Sequence, residues 1–251
     1  MLRLRTVLAL ALALLVLTAT QAQAAIPVTK AQRQAVVFVT DLSQGSPAAQ
    51  AFYDLVEFGA AGLTVPTLGP RYANVTIVQG AAATRTRLRT TLKAAASASG
   101  VKAVDLVFVT HGLSGNVVFS GSSTPVAMTA VRDDIQGALT AGERAKLRMV
   151  FSTACFGASH NARWLEAGFK VASGGKRIYA DSATSYPAFL GTWALGATFG
   201  VAVAAANASD PLRLQDNAAK VLLRNEGFPN PDVDSTRVVS GASSLTIGTM
   251  P

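Results

Sequence analysis

Val104-Asp105-Leu106-Val107-Phe108-Val109-Thr110 runs straight into His111-Gly112, and Leu147-Arg148-Met149-Val150-Phe151-Ser152-Thr153 runs into Ala154-Cys155-Phe156-Gly157. Both are apolar, β-branched runs of strand length that stop at turn-forming residues. Continuous apolar runs of this kind suit parallel strands covered on both faces. Two earlier runs share the pattern, Ala35-Val36-Val37-Phe38-Val39-Thr40-Asp41 and Ala73-Asn74-Val75-Thr76-Ile77-Val78. Helical patterns fill the intervals: Ser46 to Phe58, Ala82 to Ser99, Thr129 to Leu139 and a short one at His160 to Ala167. Strand–helix alternation predicts βαβ units, hence an α/β fold around a mostly parallel sheet with helices on both faces.

The later chain predicts a strand at Lys176 to Ala180, a long helix at Pro187 to Ala206 and another helix at Pro211 to Asn225. A strand-like stretch follows at Arg237 to Ser240. Between the His-bearing strand and its helix, Val117-Val118-Phe119-Ser120 flanked by Gly115 and Gly121 predicts a small hairpin.

The amino terminus predicts the compartment. Arg3 and Arg5 precede the apolar run Val7 to Leu17, and Ala22-Gln23-Ala24 follows, which is the layout of a cleaved secretory signal over residues 1–24. The run is shorter than the ~20 residues a membrane span needs. The segment Ala188 to Ala208 is apolar but interrupted by Gly191, Gly196 and Gly200, and suits a buried helix better than a span. Removing 24 of 251 residues leaves 227, one α/β domain over 25–251, with the protein secreted or periplasmic.

The whole chain carries a net charge of +8, or +6 without the two signal arginines. The densest basic group, Arg85, Arg87, Arg89 and Lys93, falls on one helix without interleaved aromatics, so it reads as a solvated face and not a nucleic-acid surface. No nucleic acid, membrane after signal cleavage, metal or cofactor is indicated, because the two histidines have no third ligand cluster beside them. Cys155 is the one cysteine, so no internal disulfide staples the fold, and a lone thiol in an oxidising compartment is a liability that needs a reason.

In a parallel α/β sheet, ligands bind beyond the carboxyl ends of the strands. Asp41, His111-Gly112 and Ala154-Cys155 all stand at such ends. Taken singly, Cys155 reads as a small buried hydrophobe and His111 as a turn residue. Taken together, on consecutive strand exits, they read as a nucleophile and its acid/base.

An apolar run ending in His-Gly, followed 44 positions later by one ending in Ala-Cys, resembles the caspase-like superfamily of cysteine peptidases, which includes caspases, legumains, gingipains and clostripain. The resemblance covers about Ala35 to Ala180. It implies the three-layer caspase-like fold and an endopeptidase in which Cys155 attacks the scissile carbonyl of a peptide or protein substrate. It further implies that His111 serves as general acid/base, and that the N–H groups of Gly112 and Cys155 hold the oxyanion. Asp41 occupies the place where legumain-like members carry a residue that orients the histidine. Asp41, Thr153, Asp181 and Ser182 are the candidates for orienting His111 or lining the substrate pocket. Thr153 stands where the pattern often has an acid or amide, and no Arg follows the first strand, so aspartate specificity is not expected. Two acids near the site favour a basic side chain by charge complementarity.

Two other readings compete. A caspase-fold binding module need not use the dyad at all. An α/β-hydrolase-type esterase requires a histidine well after the nucleophile, and only His160, five residues on, follows Cys155. His160 reads as the start of the next helix.

Overall fold

The computed structural model describes residues 25–42, 50, 59–60, 62–122 and 124–250. The predicted signal and most of the predicted helix Ser46 to Phe58 lie outside the described residues; Gln50, within that stretch, is helical.

The four apolar runs form four strands of one sheet: β1 (Arg33–Val39), β2 (Asn74–Gln79), β3 (Ala103–Val109) and, after a three-stranded hairpin unit, β7 (Leu147–Ser152). That unit consists of β4 (Gly112–Leu113), β5 (Asn116–Val117) and β6 (Val126–Ala127). Two more strands, β8 (Val171–Gly175) and β9 (Arg237–Gly241), complete the six-stranded sheet. The order is β9-β8-β7-β3-β1-β2, parallel throughout except for β9, which runs antiparallel to β8.

Helices cover both faces. On one lie α1 (Arg85–Ser97), α2 (Met128–Ala138) and, beyond the single turn α3 (Ala141–Arg144), α4 (Asn161–Ala167). There Leu88, Leu92, Val131, Ile135 and Trp164 pack on Val36, Phe38, Leu106 and Phe108. On the other lie α5 (Ser182–Ala194) and α6 (Phe199–Ala208), whose Phe189, Trp193, Phe199 and Val203 pack on Val37, Val39, Val107 and Phe151. Alternate residues of one strand therefore feed opposite cores, as the period of two requires. A last helix, α7 (Leu214–Asn225), has only one buried side chain, Asp216. The result is a three-layer α/β fold with a mostly parallel sheet.

Three expectations need correction. The strand placed at Lys176 to Ala180 is instead Val171–Gly175. Gly174-Gly175 reads as a turn in sequence, but it is strand because Gly157 packs directly on it: a Cβ at Gly174 would stand 2.6 Å from the Gly157 Cα. Residues 176–180 run on beyond the sheet, with Ile178 bridged to Val233. The long helix at Pro187 to Ala206 is two helices, broken where Gly196 takes φ +93°, a left-handed conformation glycine adopts at little cost. Thr198 then caps α6 by accepting from Val201 N. The hairpin turns at Ser114-Gly115, earlier than expected, with Gly115 at φ +71°.

The sheet interior holds one buried ion pair, Asp105 on β3 with Arg148 on β7, both fully buried. Tyr72 Oη donates to Asp105, Trp193 Nε1 donates to Tyr72 Oη at 2.9 Å, and Arg148 Nη1 reaches the carbonyls of Ile247 (2.8 Å) and Thr249 (2.9 Å). These bonds tie the tail of the chain to the sheet, where Thr249–Met250 pairs with Ile26–Pro27. On α1, Arg85 pairs with Asp134 and Lys93 with Glu143, while Arg87 and Arg89 face solvent. No helix among the described residues is long and apolar enough to cross a membrane.

Candidate active site

β3 and β7 are neighbours, with Phe108 opposite Ser152, and Thr153 N donates to Phe108 O at 2.9 Å. The strand exits therefore emerge side by side. His111 and Cys155 line one cavity of about 350 Å³, together with Thr153, Ser182, Leu42 and Tyr179.

Gly112 is the close point between the two segments. A Cβ there would lie 2.5 Å from the Cys155 carbonyl oxygen and 2.9 Å from the Ala154 Cβ, so no other residue fits without backbone movement. Val118 N donates to His111 O at 3.0 Å. In an antiparallel pair, hydrogen-bonded and non-bonded partners alternate. Gly112 opposite Val117 is therefore the non-bonded partner, and its N–H points away from β5.

Residues after Cys155 form a tight turn. Phe156 takes φ 56°, uncommon for a residue with a large side chain, and its N–H is engaged by Arg177 O at 2.7 Å. The turn Gly157–His160 then grips the hairpin from behind: Ser159 Oγ accepts from Gly115 N at 2.9 Å, and His160 Nε2 donates to Leu113 O at 2.9 Å. His160 is wholly buried and stands at the amino-terminal position of α4, as its place in the sequence suggests, with its ring bonded to Leu113 O rather than to the helix.

His111 Nε2 lies 3.0 Å from Leu42 O. A carbonyl only accepts, so Nε2 carries the proton and Nδ1 is the acceptor nitrogen of the neutral ring. Burial pushes the His111 pKa below the ordinary 6.5, partly opposed by this bond and by the Asp41 charge. Cys155 Sγ accepts from Tyr179 N at 3.4 Å. Part of the residue stays accessible, yet desolvation of the sulfur outweighs that bond and raises the thiol above its ordinary 9.0. The two shifts run in opposite directions, and each favours the neutral form, imidazole and thiol.

The remaining candidates separate. Thr153 and Ser182 are buried and line the cavity. Asp41 is exposed on the β1 exit, its N–H donating to Ser120 Oγ at 2.9 Å, and it acts on His111 through charge. Asp181 is buried beside the cavity without lining it; its environment raises the carboxyl to about 6 through desolvation, against the pull of Arg237. Among the described residues, the carboxylate that lines the cavity is Glu226.

Sequence reading missed the Leu42 carbonyl and the Tyr179 N–H, since backbone groups carry no residue-type signature. It also missed α7 as a wall of the site. The 3–4 spacing of Gln215, Ala218, Ala219, Leu222 and Leu223 was visible, but such a stripe reads equally well as core. Among the described residues no cluster of three or more His, Cys, Asp or Glu is arranged to hold a metal ion.

Strand order, layers and the pairing of exits define this as a caspase-like fold. The solved structure of caspase-1 from Spodoptera frugiperda superposes with a TM-score of 0.58 at 11% identity, over 88% of this chain and 91% of that one. No family model and no curated protein matches the sequence. The likeness is thus one of fold.

Proposed function

We propose that the chain is an exported cysteine endopeptidase, acting in the medium or the periplasm on peptide or protein substrates. The observation that carries the reading is a histidine and the chain's one cysteine on adjacent strand exits, lining the same cavity. His111 Nδ1 takes the Cys155 proton as sulfur attacks the scissile carbonyl carbon. The N–H groups of Gly112 and Cys155 donate to the oxyanion, each such donor being worth ~100-fold or more in rate. His111 then returns the proton to the departing amine, leaving a thioester that water hydrolyses with the same imidazole as base. Leu42 O holds the ring in the required tautomer throughout, with Asp41 favouring the imidazolium that forms in passing.

A neutral resting pair suits a nucleophile activated in step with attack rather than beforehand. The test is hydrolysis of mixed quenched peptides by the protein and its Cys155→Ala variant. Turnover by the first and none by the second is expected. Equal turnover removes Cys155 as nucleophile, and no turnover by either favours a caspase-fold binding module.

A further inference from the structure

The wall of the site opposite the dyad is built by α7. Ala218, Ala219, Leu222 and Leu223 face the cavity from that helix, and Ile178 and Ala180 close it from the segment after β8. The helix is held at its amino end by Asp216, which accepts from Ser235 N at 3.2 Å and pairs with Arg213. Among the described residues no Lys or Arg lines the cavity, and the acidic residue that does is Glu226. At about 350 Å³ it falls in the ~300–1,000 Å³ range of ligand clefts and has room for a large side chain.

We infer that this cavity receives the substrate side chain on the acyl side of the cut and selects a bulky apolar one, leucine, methionine or phenylalanine, over aspartate or glutamate. The inference rests on the peptidase reading, because the acyl carbon bonded to Cys155 Sγ belongs to the residue whose side chain emerges next to that sulfur. An acid entering there would lose its water, find no cation and meet Glu226, whereas an apolar chain gains by leaving water. Ala219 and Leu222 are the specificity-determining positions. Asp41 and Asp181, the two carboxylates from which a basic preference is expected, do not line the cavity.

Two measurements test it separately from catalysis. Peptides differing only at that residue, Leu against Asp, are titrated into the Cys155→Ala protein, and the same pair is assayed for turnover by the wild type and by Leu222→Arg. Leu222 is half-buried on an outer helix, so the substitution is compatible with folding. At least tenfold tighter binding of the Leu peptide, a hundredfold advantage in kcat/KM, and a shift of that ratio toward Asp by tenfold or more in Leu222→Arg are expected. Equal or tighter binding of the Asp peptide, or an unchanged ratio in Leu222→Arg, overturns the inference. Leu-selective binding without wild-type turnover retains the pocket assignment and sinks the nucleophile instead.

Discussion

Gly112 packs against the backbone of Cys155, near enough that a Cβ would stand 2.5 Å from the Cys155 carbonyl oxygen. The histidine strand and the cysteine strand are thus joined at the residue that follows one member of the dyad, with His160 Cε1 3.2 Å from the same point. The backbones that carry His111 and Cys155 are therefore in direct contact at this point.

Gly112→Ala must therefore push the two exits apart. Misplacement of about 1 Å is enough to cost ~100-fold in rate. We expect kcat/KM to fall by about that factor, with circular dichroism still reporting a folded α/β chain. Full activity in the variant would show that the contact does not govern the site.

The pH profile follows from the two neutral groups. As base, His111 must be unprotonated, and burial lowers its pKa, so activity should rise along an acid limb whose midpoint lies below 6.5. The raised thiol predicts slow alkylation of Cys155 at pH 7, accelerating only beyond pH 9. Stopped kinetics of iodoacetamide labelling against pH read the second directly. Rapid labelling at pH 6 would mean a preformed thiolate.

Asp181 makes stability depend on pH. Its native pKa of about 6 lies above the ordinary 3.8, so the folded state binds the proton more tightly than the unfolded chain does. Stability must then decline as pH rises from about 4 to 6, by at most roughly 2–3 kcal/mol. Urea unfolding at pH 4.5 and 7.5 should show this component in the wild type and lose it in Asp181→Asn. A pH dependence identical in both proteins would contradict the assignment.

Asp105→Asn removes one charge from a pair with no exposed surface and leaves the Arg148 guanidinium uncompensated. Loss of one partner from a buried pair costs about 3–5 kcal/mol. The melting transition should drop accordingly, with activity of the remaining folded protein little changed, because the pair lies away from the cavity. A variant as stable as the wild type would show that the carbonyls of Ile247 and Thr249 alone satisfy Arg148.

Of the four early strands, β1, β3 and β7 were legible because they are buried almost throughout and so are mostly apolar, and the half-exposed β2 because of its β-branched run Val75-Thr76-Ile77-Val78. The placement of His111 and Cys155 at adjacent strand exits was legible because a histidine and the chain's one cysteine are conspicuous at the ends of such runs. Gly174-Gly175 was not, since glycine serves turns and close strand packing alike, and only the position of Gly157 decides between them. The same holds for the site's second wall. Local composition determined the early strands and helices, their alternation, and the histidine and cysteine that end up lining one cavity. Tertiary structure alone decided that α7 lines the cavity of His111 and Cys155, that the Leu42 carbonyl meets the imidazole, and that Asp181 is buried behind the cavity, because a local stripe or turn does not say which distant segment it will meet.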